Sequence, residues 1–374
     1  MTLKQKTASG VLWTGMAKMS MQIILFVNML ILARLLSRDD FGIVGIAAIV
    51  TVATSMVNDR GLGTSIIQKK DTPQSELCSI FWGSVLLGLA LTILTMLFSV
   101  PAALYFRQPV VRDVFCVQSL GFAIGALGIV HKSLLTKKMY FKKLALIEII
   151  SVFLNGVFSV GLAVAGFGVW SIVLGVLLRD VVTILLLWVF CKWKPSLHFR
   201  WNEFKRHLGF SSAVLSNDVA IYVNTNTDVT IIGRILGAES LGVYTFALYL
   251  VKLPVTRLAG SVSRVIFPAF SLIQNEHEKF KKGYLRSMTL VSFFAFFILA
   301  MLGVFANEFV HVTLPARWES LIFPLQALVP MAMLKSIGTI RGPVFMALGR
   351  PDIELKWNMF YFIPLVLSVL LGTR

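Results

Sequence analysis

Long apolar runs alternate with short polar breaks along most of this chain. SVLLGLALTILTMLFSV, Ser84 to Val100, carries no charge, and neither does ISVFLNGVFSVGLAVAGFGVWSIVLGVLL, Ile150 to Leu178. About 20 apolar residues in a helix cross the hydrocarbon core of a bilayer. The second run is longer than one crossing, and its central AGFG predicts a tight turn between two helices. The pattern predicts membrane helices over 10–36, 41–58, 79–101, 110–135, 145–165, 168–191, 209–236, 241–260, 285–306 and 319–341. A further helix starts at 358 and stops at Arg374. The expectation is therefore an all-α polytopic membrane protein with about ten complete transmembrane helices plus a truncated eleventh. The opening MTLKQK is followed by an apolar-rich stretch to Leu36, too long for a signal-peptide core, so it reads as a retained first span.

Composition agrees with this pattern. The 374 residues are 57% hydrophobic and only 14% charged, with a mean hydropathy of +0.81. A soluble domain carries about 25% charge, so that class is excluded. Cys78, Cys116 and Cys191 fall in or beside apolar runs without CxxC spacing, which predicts packing residues rather than a metal site or a disulfide framework.

The net charge of +17 comes from bases gathered at the N-terminus and at alternate junctions. Those places hold Lys4, Lys6, Lys69, Lys70, Lys137, Lys138, Lys142, Lys143, Lys192, Lys194, Lys279, Lys281 and Lys282, among others. The intervening junctions hold only Arg34, Arg38, Arg107, Arg112, Arg234 and Arg317. Basic loops stay on the cytoplasmic side, so the N-terminus is expected there. The same scattering over short loops argues against nucleic-acid binding, which gathers charge on one face. The largest polar piece, Lys192 to His207, alternates bases with Trp193, Phe199, Trp201 and Phe204. It is expected to lie at the cytoplasmic interface as an amphipathic linker, 192–208, between an N-terminal six-helix lobe (1–191) and an incomplete C-terminal lobe (209–374).

An internal repeat supports two lobes. ILARLLSRDDFG, Ile31 to Gly42, matches IIGRILGAESLG, Ile231 to Gly242, without a gap at an offset of 200. At that offset Asn28 corresponds to Asp228, and at an offset of 197 RGLGTS from Arg60 resembles RLAGSV from Arg257. Six spans separate the copies, so both run in the same direction, a parallel duplication of the kind found in transporters.

NTNTDVTIIGRILGAESLGVY (Asn224 to Tyr244), LPVTRLAGSVSRVIFPAFSLIQ (Leu253 to Gln274) and ALGRPDIELKWN (Ala347 to Asn358) resemble the polysaccharide flippases of the MOP exporter superfamily. SGVLWTGMAKMSMQ and RGLGTSIIQKKD fit the same pattern, and the likeness is to the Wzx-type exporters of colanic acid, O-antigen and teichuronic acid precursors. The resemblance implies a two-lobe MOP/MATE-like bundle. It also implies transport of polyprenyl-diphosphate-linked oligosaccharide across the bacterial inner membrane, with glycan polymerases as possible partners. Members of this kind carry at least about twelve spans, so the early stop is a departure from the pattern.

A diphosphate calls for cations, and Arg binds phosphate through its planar fork. Arg60 and Arg257, in matching copies near the cytoplasmic ends of their spans, are the candidates, with Arg264 seven residues on; the alternative is snorkelling to lipid head groups. Asn217, Asn224 and Asp228 share one helix face, with Asp218, Tyr222 and Thr225 beside them. These residues and Asn28 are candidates for sugar binding, and Asp228 and Asp218 for ion coupling, against a purely structural hydrogen-bond network. Arg179 and Asp180 lie mid-span; as sequence neighbours they point about 100° apart and need not pair with each other. Arg34 and Arg234 suit helix C-termini. No histidine pair has metal spacing, and no nucleophile elbow or phosphate loop is present. No catalytic, metal or cofactor site is therefore expected. A drug exporter of the same superfamily, a membrane enzyme of glycan assembly and an inactive truncated transporter are the competing readings.

Overall fold

The computed structural model describes the backbone of residues 3–60, 63–68, 72–272 and 276–341, and isolated positions beyond 341. Side chains at 1–14, 16–17, 59–60, 206–221, 225 and 257–269, with a few others, lie outside that description, as does most of the segment after 345.

Every regular element among the described residues is helical. The chain runs α1 (Leu3–Leu35), α2 (Arg38–Arg60), α3 (Gly63–Gln68), α4 (Gln74–Phe106), α5 (Val110–Ala126), α6 (Ile129–Lys137), α7 (Phe141–Val164) and α8 (Trp170–Phe190). It continues with α9 (Trp201–Ile235), α10 (Gly237–Leu272), α11 (His277–Val304), α12 (Ala306–Thr313) and α13 (Ile322–Ile337). Seven of the described segments are long and apolar enough to cross a membrane, or up to eight if the bent pair α5–α6 is one span. The outward faces match that reading: Leu94, Leu97, Phe98 and Leu104 on α4 and Phe293 and Phe297 on α11 are all more than half exposed. In water such a surface would associate; in lipid it needs no partner. Helices suit this setting because they satisfy their own backbone polar groups.

The two copies of the repeat end their helices by different devices at equivalent positions. After α1, the Ser37 hydroxyl accepts from the Asp40 N–H at 3.1 Å, while the Asp40 carboxylate accepts from the Ser37 N–H at 3.0 Å. This reciprocal pair is a capping box that starts α2. After α9, Gly237 takes φ +80°, the left-handed conformation that glycine adopts without Cβ strain. The AGFG turn between α7 and α8 is present as predicted, with Gly166 at φ +82° and Gly168 at φ +54°.

The span predicted over 110–135 is not one straight helix. It breaks between α5 and α6, with a bend of 47°. The break falls in a GALG stretch, where two glycines weaken helical continuity. The Leu127 carbonyl there accepts from the Trp188 indole N–H at 3.0 Å.

Residues 1–226 form one compact unit and 227–374 a second. In the first, α4 packs on α5, α1 on α7, α7 on α8, and α5 on both α2 and α8. Glycines permit the close approaches: a Cβ on Gly88 would lie 2.7 Å from the Phe122 carbonyl oxygen. In the second unit, α10, α11 and α13 pack against one another around Trp318, which is fully buried edge-on to Phe246 at 4.8 Å.

The stretch after α8 is irregular from Cys191 to Arg200, with a bend at Leu197, and lies along the first turns of α4. The Trp193 indole donates to Gln74 Oε1 at 2.7 Å, and the Gln74 amide donates to the Lys194 carbonyl at 3.0 Å. The Trp82 indole donates to the Ser196 carbonyl, the Arg200 N–H donates to Ser79 Oγ, and Ser79 donates to Glu203 Oε2. Of the four aromatics in this piece, Phe204 is buried against α4 and Trp193 packs on Phe81 and His131, whereas Phe199 and Trp201 remain exposed. The segment is thus amphipathic without being helical until Trp201.

Candidate functional site

The first unit holds a partly open cavity of about 310 Å³ lined by α1, α2, α5, α6, α7 and α8. One face of α2 supplies Thr51, Thr54, Ser55 and Asn58, whose spacings of three and four residues bring them into line. Opposite them stand Gln118 from α5, Lys132 from α6, Glu148 and Ser151 from α7, and Arg179, Asp180 and Thr183 from α8. Apolar side chains, among them Val152, Val173 and Val176, complete the wall.

Two basic and two acidic residues therefore meet inside a span-forming bundle, where ionisable groups are costly and mark function by default. Arg179 and Asp180 pair with each other: Arg179 Nε and Nη2 both donate to Asp180 Oδ1, at 3.2 and 3.0 Å. The sequence left open whether these neighbours pair with each other, and here they do. The 100° between their Cα–Cβ directions is spanned by the long Arg side chain, which folds back onto the shorter carboxylate. Neither is fully shielded, with side chains 32% and 24% exposed.

Short contacts organise the neutral groups. The Thr51 hydroxyl donates to Gln118 Oε1 at 2.5 Å, and the Asn58 amide donates to the Gly121 carbonyl at 3.2 Å. Gly125 makes room for Asn58, since a Cβ there would fall 1.8 Å from the Asn58 amide nitrogen. Asn58 Oδ1 and Ser151 Oγ are buried with no hydrogen-bond partner among the described residues.

The residues singled out from sequence fare differently. Arg60, Arg257, Arg264, Asn217 and Asp218 carry side chains outside the described residues. Asn28 is half-buried beside Gly156, and its Oδ1 has no partner among the described residues. Asn224 is half-buried on α9. In the second unit Asp228 is buried, its Oδ2 accepting from the Tyr244 hydroxyl at 2.7 Å. The Tyr222 hydroxyl donates to the Ile49 carbonyl of α2 at 2.8 Å within the first unit. Arg34 and Arg234 do sit in the last turns of α1 and α9, where a cation favours the helix dipole. Glu148, Lys132 and Gln118 were missed. Glu148 carried a usable signal, a lone carboxylate inside LALIEIISVF.

Comparison with known proteins places the chain. It is 29% identical to the lipopolysaccharide biosynthesis protein WzxC of Escherichia coli K12, over all of this chain and 76% of that protein. It is 28% identical to the teichuronic acid biosynthesis protein TuaB of Bacillus subtilis 168, over all of this chain and 78% of that one. The succinoglycan biosynthesis transport protein ExoT of Rhizobium meliloti matches at 25% identity, over 90% of this chain and 71% of its own length. In fold, the chain is similar to the lipid II flippase MurJ in its inward closed conformation, with a TM-score of 0.75 and 17% identity over 96% of this chain and 79% of that one. It is also similar to an inward-facing MATE multidrug transporter of the MOP superfamily, with a TM-score of 0.71 and 16% identity over 91% of this chain and 84% of that one. Residues 31–323 match the model of a family described as polysaccharide biosynthesis protein, and the chain is a multi-pass membrane member of that family.

Proposed function

We propose that this chain flips a polyprenyl-diphosphate-linked oligosaccharide across the bacterial inner membrane, by alternating access, for the assembly of a surface polysaccharide. The family match over 31–323 carries the reading. A relative named as a succinoglycan transport protein and a fold shared with a lipid II flippase support it. So does the physical contrast between an outer surface of apolar side chains and an inner cavity of charges, amides and hydroxyls. A lipid tail suits the first, and a sugar head group needs the second.

Within this reading the chain divides into lobes 1–191 and 209–374, joined by 192–208, with the N-terminus in the cytoplasm. Arg60, Arg257 and Arg264 hold the diphosphate, and Asn28, Asn217 and Asn224 contact sugars. Asp228 and Asp218 couple transport to an ion gradient; flux indifferent to proton and sodium gradients would remove that role. The partners are the lipid-linked oligosaccharide, membrane lipids and a glycan polymerase.

The test is deletion of the gene in its own host. The expected result is loss of surface polysaccharide and accumulation of its lipid-linked precursor. Wild-type protein restores export, Arg60→Ala and Arg257→Ala do not, and the lysine variants restore part of it. Unchanged polysaccharide together with new sensitivity to small toxic cations would replace the reading with drug export.

A further inference from the structure

We infer that the cavity in the first unit is a subsite for one uncharged sugar ring of the head group, rather than for its diphosphate or for a coupling cation. This rests on the flipping reading and assigns the cavity a place within it.

The charge balance comes first. Lys132 and Arg179 bring two positive charges, and Glu148 and Asp180 two negative ones. A diphosphate needs a surplus of cations around it. A bound cation needs carboxylates that no guanidinium has already neutralised, and Arg179 is committed to Asp180 through two of its nitrogens. Either charged ligand would meet as much repulsion as attraction here.

A sugar hydroxyl asks for something else. It donates one hydrogen bond and accepts others, so a ring of hydroxyls fits a wall on which donors and acceptors alternate. The cavity offers that wall. Arg179 beside Asp180 sets donor next to acceptor. The Gln118 carbonyl oxygen accepts from Thr51 and keeps a second lone pair, while its amide N–H groups donate, so this side chain offers both roles. Thr54, Ser55 and Thr183 add hydroxyls to the lining, each able to donate and to accept.

Size and shape agree. At about 310 Å³ the cavity is at the small end of ligand pockets, which span roughly 300–1,000 Å³. It takes one pyranose and not an oligosaccharide. Half-buried apolar side chains in the lining, Val176 and Leu177, suit the C–H face of the ring.

The experiment uses the full chain in detergent with Ser55→Cys at the exposed edge of the cavity. Maleimide labelling at position 55 is followed by peptide mass spectrometry, with methyl glucoside, methyl galactoside, N-acetylglucosamine, inorganic pyrophosphate and sodium chloride as probes. At least one neutral sugar is expected to slow labelling severalfold, while pyrophosphate and sodium leave the rate unchanged. Gln118→Ala and Ser151→Ala, checked for an unaltered melting temperature, should each weaken the protection. Protection by pyrophosphate or sodium and by none of the sugars overturns the assignment, and so does protection by no probe at all. If sugars fail to protect a protein that still restores polysaccharide export, the subsite falls and flipping stands. If sugars protect a protein whose deletion leaves export intact, the flipping reading falls instead.

Discussion

The Tyr244 hydroxyl donates to Asp228 Oδ2 at 2.7 Å, tying α10 to α9 sixteen residues upstream. Asp228 is buried at 9% exposure, so its carboxylate depends on such donors. A hydrogen bond to a charged group contributes about 1.5–3 kcal/mol, and its loss leaves a buried acceptor unpaired. Tyr244→Phe should therefore lower the thermal midpoint of the purified protein. Asp228→Asn, which can still accept from Tyr244, should cost less than Asp228→Ala. A Tyr244→Phe protein melting with the wild type would show that the bond carries no stability.

The Arg179–Asp180 pair gives a second prediction. Removing one partner leaves the other charge in a partly buried site, whereas removing both does not. Arg179→Gln and Asp180→Asn should each destabilise the protein by more than the double variant does, with a coupling of about 0.5–3 kcal/mol in a double-mutant cycle. Additive single effects would mean that the pair is only a solvated contact.

A third concerns the α4–α5 seam. A Cβ on Gly88 would meet a backbone carbonyl, that of Phe122, at 2.7 Å. A backbone atom in a packed helix cannot rotate aside, so the helices must separate. Gly88→Ala should destabilise by about 1–3 kcal/mol, the usual cost of overpacking. Gly161→Ala, with nothing within 4 Å of its added Cβ, serves as the control and should be neutral or slightly stabilising. Equal melting of the two variants would contradict the seam.

A fourth tests the irregular segment after α8. Its hold on α4 runs through Trp193 and Gln74. Trp193→Ala should release the segment and speed tryptic cleavage after Lys192 and Arg200 severalfold, because proteolysis follows local opening. Trp193→Phe keeps the packing on Phe81 and His131 and should fall between. Cleavage rates unchanged by Trp193→Ala would show that the clasp does not restrain the backbone.

Much of the fold was legible because a bilayer imposes one strong rule, an apolar stretch of fixed length. Helices α7 and α8, the AGFG turn between them and the helix ends at Ser37 and Gly237 all follow from local signals. The break at Leu127 and Gly128 was not legible. Apolar periodicity continues across it, and the Trp188 indole that donates to its open carbonyl lies 61 residues away. The cavity was hidden for a related reason: Thr51, Gln118, Lys132, Glu148 and Arg179 come from five different helices. Pattern along one helix finds faces such as Asn217, Asn224 and Asp228, but it cannot pair faces on separate helices. Arg179 and Asp180 were legible as mid-span charges, but Cβ directions left their partner open, because side-chain reach decides the contact.

The clasp on α4 also bears on how this protein is made. Its donors and acceptors, Trp193, Ser196, Arg200 and Glu203, bond residues 74 to 82, all of which leave the ribosome well before them. Chains emerge N-terminus first and fold in units as they do. The tie draws on nothing beyond Phe204, so no part of α10 to α13 is needed to fasten it. Every partner in the clasp thus belongs to the first unit, so its formation waits on no residue after 226.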